Sequence, residues 1–239
     1  MKRTLPVFAH RGASGYTFEN SMEAFELARE LGADGIEIDI QTTLDEQLYV
    51  IHDLNLRRLA GINKNINECL AEEVQTLSIG KVFWRKIYRR SIPSFKQVVE
   101  WANAHQMPLN IELKESLVLN SKPLERILPF LMLPKGSHFS SFHDKLLQLV
   151  KKIRPDFETA LIITKKFDLE KLGEYQHIDF IHVNKKRYHR RLLETASLYG
   201  KGVRFYSIDG SEPFLRNPHP IVVGWITDFP DKIQAILKA

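Results

Sequence analysis

The stretch from Gly35 to Asp53, GIEIDIQTTLDEQLYVIHD, constrains this chain more than any other. Ile36, Ile38 and Ile40 alternate with Glu37 and Asp39, the period of a strand whose successive side chains point to opposite faces. One face is then aliphatic and the other carries two carboxylates. Burying two like charges side by side is costly unless a cation or a proton sits between them. A second run, Leu48 to Ile51, ends on His52 and Asp53. Seven residues separate the two runs. A parallel crossover needs about a dozen or more, so the return is expected to be antiparallel. A turn at Asp45–Glu46 sets His52 opposite Asp39 and brings two carboxylates and an imidazole to one strand end.

The pattern is repeated. Leu109, Ile111 and Leu113 face one way while Asn110, Glu112 and Lys114 face the other. Upstream, an apolar run ends on His10, Arg11 and Gly12, and Met22, Phe25, Leu27, Ala28 and Leu31 then mark a helix from Glu19 to Leu31. Gly32 stops it and the carboxylate strand begins, which makes a βαβ unit. Strands are expected at 5–9, 36–40, 109–113, 138–142, 159–163, 179–183, 203–207 and 221–226, with 48–51 as an extra return strand. Helices are expected at Glu68–Leu77, Phe95–His105, 122–131, 143–153, 168–175, 188–199 and 230–238. Eight βα units in a chain of 239 residues predict an α/β fold, the TIM (β/α)8 barrel. Residues 1–239 read as one domain, with 54–93 as an insertion. Active sites of such barrels sit at the C-terminal strand ends, where His10, Glu37, Asp39, His52 and Glu112 converge.

Composition narrows the function. A net charge of +5 invites a nucleic-acid reading, but much of the excess lies in two clusters, Lys81–Arg90 and Lys185–Arg191, and no nucleic-acid-binding signature accompanies them. Phe83, Trp84, Ile87 and Tyr88 give the first cluster an apolar side at helical spacing. That spacing favours a cap packed on the barrel rim over contact with an acidic membrane. The lone Cys69 excludes an internal disulfide and fits a reducing compartment. No apolar run suits a signal peptide or a membrane span, so a cytoplasmic location is expected.

Three inward carboxylates make a hard oxygen site suited to Mg²⁺ or Ca²⁺. Two histidines beside it can share proton transfers, one taking a proton from a nucleophile and the other giving one to a leaving oxygen. Arg11 and Lys114 add charge of the kind that holds a phosphate. Together these groups suggest cleavage of a phosphate ester. Asp53 either orients His52 or closes a turn. The remaining histidines, His138 and His182 among them, read as structural or surface residues.

The opening block, HRGASGYTFENSMEAFELARELGADGIEIDIQTTLDEQLYVIHD, resembles the HRG…EN…ExD…HD signature of the glycerophosphodiester phosphodiesterases. IPSFKQVVEW, LNIELK, SSFHDKLLQLVKKIRPD and GWITDFP follow at later motif positions in order. The resemblance implies a metal-dependent barrel hydrolase that releases sn-glycerol 3-phosphate and an alcohol from a small-molecule glycerophosphodiester. By position it makes His10 and His52 the acid-base pair and Glu37, Asp39 and Glu112 the ligands of one divalent cation, Mg²⁺ or Ca²⁺. Arg11 and Lys114 would contact phosphate, and Glu19 and Asn20 would shape the site. A lipid hydrolase of lysophospholipase D or phospholipase C type and a silent phosphodiester-binding barrel are the rival readings. The sequence departs from the family at Phe18, where Pro is usual, and at Phe205–Asp209, where Trp-Thr-Val-Asn is usual. Both are expected to touch the pocket lining.

Overall fold

The computed structural model describes residues 5–80 and 90–238. Among them, β1 (Val7–His10), β2 (Gly35–Thr42), β3 (Leu48–Val50), β4 (Leu109–Leu113), β5 (His138–Ser141), β6 (Glu158–Ile163), β7 (Phe180–Asn184), β8 (Gly202–Ile208) and β9 (Val222–Thr227) share one sheet. Its order is β1-β9-β8-β7-β6-β5-β4-β2-β3, and β1 also pairs with β2. That last pairing closes β1, β2 and β4 to β9 into an eight-stranded parallel barrel, leaving β3 outside as an antiparallel partner of β2. The fold is the expected TIM barrel, and closure removes the open edges that a flat sheet would carry.

The alternation seen in the sequence divides the barrel wall into two environments. Ile36, Ile38 and Ile40 of β2 and Leu109, Ile111 and Leu113 of β4 are buried in a continuous apolar layer outside the wall. Helix Met22–Glu30 lays Phe25 and Ala28 on that layer, and helix Phe95–His105 adds Phe95, Val98 and Ala102. Ser21 and Ser94 start these helices by accepting hydrogen bonds from the Ala24 and Gln97 amides. Burying a side chain such as Phe25 completely contributes roughly 1.5–3 kcal/mol.

The lumen, by contrast, is polar. Glu37, Asp39, Asn110, His138, Ser140, His182 and Arg204 are all buried. The Arg204 guanidinium lies 4.7 Å from the Phe8 ring centroid and 5.4 Å from that of Phe180. It donates to Nε2 of His138 and, at 3.3 Å, to Nε2 of His182. A guanidinium has no lone pair to offer, so both ring nitrogens must accept and both rings are neutral. Burial first, then the neighbouring cation, push both imidazoles well below their usual range.

Several local expectations are corrected. The first helix begins at Met22 rather than Glu19, because Asn20 takes a left-handed conformation (φ 51°) and bonds to β2 instead of continuing the helix. The return strand is antiparallel, but its register pairs Ile40 with Val50, Gln41 with Tyr49 and Thr42 with Leu48. Ile51, not His52, therefore stands opposite Asp39 and donates its amide to the Asp39 carbonyl. The cause is the turn. Thr43 pairs with Gln47 around Leu44, Asp45 and Glu46, and Glu46 adopts φ 62°. A three-residue loop closed by a left-handed residue replaces the two-residue turn. The expected helix 68–77 resolves into a 3₁₀ turn, Ile66–Glu68, and a short helix, Ala71–Thr76. The expected helix 168–175 is 3₁₀, Leu169–Glu174. Of the Lys81–Arg90 cap, all but Arg90 lies outside the described residues; Arg90 pairs with Glu23. No helix among the described residues is long and apolar enough to cross a membrane.

Two glycines test this packing. Both Gly12 (φ 81°) and Gly32 (φ 79°) occupy the left-handed region. A Cβ on Gly12 would meet the Ala24 backbone carbon at 2.6 Å, whereas one on Gly32 would meet nothing within 4 Å. Gly32→Ala is expected to cost only the conformational penalty, about 1–2 kcal/mol. Gly12→Ala should cost clearly more, because the first helix must also move. Urea denaturation midpoints of the two variants check the difference; equal losses would contradict the close contact.

Candidate active site

Strand register assembles the acidic centre. β1 sets His10 beside Glu37, and β4 sets Glu112 beside Asp39. Glu37, Asp39 and Glu112 each offer an oxygen within 4.8 Å of the others. Burial, then the Asp39 charge, raises the Glu37 carboxyl to about 8. The same two causes, in that order, raise Glu112. Burial also works against ionised Asp39, but Arg11 and Lys114 outweigh it and hold that carboxyl below its usual value. Lys114 Nζ donates to Glu112 Oε1 at 2.7 Å and stands 3.5 Å from Asp39 Oδ1, a buried oxygen that accepts no hydrogen bond from the described residues. Three hard oxygen donors in mutual repulsion, one of them unsatisfied, fit a divalent cation of the Mg²⁺ or Ca²⁺ kind.

The loop after β1 is bent to serve this centre. Arg11 and Gly12 are consecutive left-handed residues, with φ 55° and 81°. The bend lets the Arg11 amide donate to Glu37 Oε2 at 2.9 Å. The Arg11 guanidinium reaches Glu19 at 2.8 Å and lies 3.1 Å from Asp39 Oδ2. Asn20, also left-handed, donates its backbone amide to the Arg11 carbonyl and its side-chain amide to Asp39 Oδ2 at 2.8 Å. Non-glycine residues at positive φ are uncommon, and here surrounding hydrogen bonds hold two of them in place.

Each histidine has its own carboxylate. His10 Nδ1 lies 2.7 Å from Asp228 Oδ1, which also accepts from Ser14 Oγ at 2.9 Å. His52 Nδ1 lies 2.7 Å from Asp53 Oδ1. An ionised carboxylate only accepts, which assigns the proton to Nδ1 and leaves Nε2 as the second nitrogen of each ring. Burial would lower the His10 pKa, but the Asp228 hydrogen bond and the Glu37 charge outweigh it and raise it. Asp53 is pulled down to about 2 against its burial, by Arg58 and then His52. Both rings line one cavity of ≈ 150 Å³, together with Arg11, Glu37, Glu112 and Lys114.

The residues singled out by sequence thus meet at one rim. Asp53 orients His52, and Glu19 and Asn20 brace Arg11 and Asp39. The sequence reading missed Asp228, although it directly follows the final barrel strand within GWITDFP. It also missed the cavity-lining Asn110, Ser140, Phe142 and His182. The expectation for Phe205 is corrected: it is fully buried in the outer core beside Tyr188 and Trp225, and Tyr206 lines the cavity instead. Phe18 lines a separate cleft beside Arg58.

Carboxylates, imidazoles and cations gathered at the C-terminal rim of a parallel barrel define a hydrolase-type centre for a charged ester. The sequence profile of the glycerophosphoryl diester phosphodiesterase family matches residues 10–232, and the chain belongs to that family. It is 35% identical over 162 residues to the glycerophosphodiester phosphodiesterase of Caldanaerobacter subterraneus, covering 65% of each chain. The crystal structure of a glycerophosphodiester phosphodiesterase from Agrobacterium tumefaciens superposes with a TM-score of 0.79 at 25% identity, covering 97% of this chain and 100% of that one. An Oleispira antarctica phosphodiesterase, solved in complex with the product sn-glycerol-3-phosphate, shares the fold with a TM-score of 0.82 at 24% identity, over 98% of both chains. The enzyme class is glycerophosphodiester phosphodiesterase.

The raised Glu37 pKa fixes the sign of a pH effect. Between the ordinary value of 4.5 and about 8, the unfolded chain has lost this proton and the metal-free native chain retains it. The native state then binds more protons, so its stability falls as pH rises through that window. Urea midpoints in EDTA should decline from pH 5 to pH 8, and Glu37→Gln should flatten the decline. An unchanged slope in the variant would count against Glu37 as the protonated member.

Proposed function

We propose that this enzyme hydrolyses glycerophosphodiesters to sn-glycerol 3-phosphate and an alcohol with the help of one divalent cation, His10 and His52 acting as the acid-base pair. The observation that carries this reading is the shared cavity. Two imidazoles, each anchored through Nδ1 by a carboxylate at 2.7 Å, line the same ≈ 150 Å³ space as Glu37 and Glu112 of the acidic cluster. Glu37, Asp39 and Glu112 would hold the cation, which when bound supplies Lewis-acid stabilisation of charge on the phosphate.

The protein's own groups do the rest. Arg11 and Lys114, both lining the cavity, orient the phosphate and offset its charge. One imidazole takes the proton from the glycerol 2-hydroxyl as that oxygen attacks phosphorus. The bond from phosphorus to the alcohol breaks, and the other imidazole gives its proton to the leaving oxygen. Water then opens the cyclic phosphate with the two proton roles reversed. Asp53 and Asp228 keep the proton on Nδ1 of each ring, so that Nε2 serves the reacting oxygens.

The test is turnover of glycerophosphocholine, glycerophosphoethanolamine, bis-glycerophosphate and a lysophospholipid, each with Mg²⁺, Ca²⁺ or EDTA. Hydrolysis of soluble diesters that EDTA abolishes is expected; preference for the lysophospholipid would move the reading to a lipid hydrolase. His10→Ala and His52→Ala should each lower kcat by about 10²–10⁴ while calorimetry still shows metal binding. Wild-type kcat in His52→Ala would remove it from the acid-base pair. Glu112→Gln should act the other way, weakening metal binding first.

A further inference from the structure

We propose that Arg58 is a positioning residue for His52, and that the segment following β3 serves to hold it there. The proposal rests on the reading of His52 as one of the acid-base pair. Arg58 donates from Nε to Asp53 Oδ2 at 2.6 Å and from Nη2 to Asp53 Oδ1 at 3.1 Å. It also donates from Nη1 to Glu19 Oε2 at 2.7 Å and from Nη2 to Glu19 Oε1 at 2.8 Å. One guanidinium therefore grips both oxygens of two carboxylates. The Asp53 oxygen that it shares, Oδ1, is the one bonded to His52 Nδ1. Glu19 in turn accepts from Arg11 Nη1. A continuous chain of charge-assisted bonds joins His52 to Asp53, Arg58, Glu19 and Arg11.

Its foundation is a second, smaller apolar core. Leu56, Leu59, Ile66, Val74 and Ile79 are buried there against Tyr49 and Ile51 of the β2–β3 hairpin. Arg58 lies in the one-turn helix Arg57–Ala60, next to buried Leu59. The same small core thus fixes the chain leading into His52 and the backbone from which Arg58 reaches back. Asp53 sits on an irregular stretch, and its carboxylate has no other side-chain cation within pairing distance among the described residues. Gripping both its oxygens fixes the carboxylate plane, and so the direction in which Oδ1 meets the imidazole. A lysine ammonium is a point charge and cannot reproduce a planar double grip. The Arg58 side chain is 50% exposed, so its pairs add little to global stability, and loss of activity and loss of fold should separate.

The experiment uses Arg58→Ala, Arg58→Lys, Asp53→Ala and the Arg58→Ala/Asp53→Ala double variant. Arg58→Ala should lower kcat roughly 10–100-fold, with KM and calorimetric Mg²⁺ affinity nearly unchanged and Tm little altered. Arg58→Lys should recover only part of kcat. In the Asp53→Ala background, removing Arg58 should cause no further loss, because Arg58 acts through Asp53. A second readout needs no turnover: the hydrogen-bonded Nδ1 proton of His52, seen by NMR in the wild type, should exchange rapidly in Arg58→Ala. Wild-type kcat in Arg58→Ala, an equal loss in the Asp53→Ala background, or an unchanged Nδ1 proton signal would each overturn the proposal. If the wild type hydrolyses no glycerophosphodiester, the functional reading fails and the proton signal alone decides the positioning role.

Discussion

Two carboxylates on the same face of one strand cannot both be ionised inside a protein unless positive charge comes to meet them, and much of this chain is arranged around that requirement. Glu37 and Asp39 are 3% and 0% exposed, so solvent offers almost no relief. The loop after β1 answers with Arg11, bent through two successive left-handed residues, and the residue directly after β4 answers as Lys114. Removing one member of such a buried set leaves uncompensated charge, which typically costs several kcal/mol. The cations nevertheless favour Asp39 over its neighbours. Glu37 keeps its proton as the cheapest way to lower the remaining repulsion, and a bound divalent cation would replace that proton.

The two imidazoles find their Nδ1 carboxylates by unlike routes. His52 finds its carboxylate on the very next residue, and the hairpin and small core steady both. His10 finds its partner 218 residues away, at the end of β9. That bond exists only because the first barrel strand, β1, pairs with the last, β9. Joining the two ends of the chain in the barrel is thus a condition of the His10–Asp228 contact as well as of stability. A chain that formed every βα unit but failed to close would hold one histidine oriented and leave the other without its partner.

What the sequence disclosed and what it hid follow from the range of the interactions. Ile36, Ile38 and Ile40 against Glu37 and Asp39 declare a strand with two environments because face alternation is a local property. The same holds for Leu109 to Leu113 and for the amphipathic helix Phe95–His105, whose limits are those expected. Glu19 and Asn20 mislead because their helical periodicity is weaker than the pull of Asp39 on the Asn20 amide. The register of β3 turns on a left-handed Glu46, which no glycine or asparagine advertises. Asp228 is invisible to spacing arguments, since only the tertiary fold brings it to His10. Arg58 is hidden for another reason, an irregular stretch between it and Asp53 that no periodicity describes. His182 reads as structural; it accepts from Arg204 and also forms part of the cavity wall, a place that its sequence position does not signal.

The loop Leu44–Asp45–Glu46 also acts as a measure of length. Val50 packs into the large outer core, and its neighbours Tyr49 and Ile51 into the small one. In a strand these are opposite faces, and a shift of one residue exchanges them. Side chains in the loop can vary widely without altering which face is which. A single added or deleted residue would turn Val50 toward the small core and drive Tyr49 and Ile51 into the other. The tolerance of this hairpin to change is therefore a matter of parity: substitutions and two-residue insertions preserve it, and odd insertions do not.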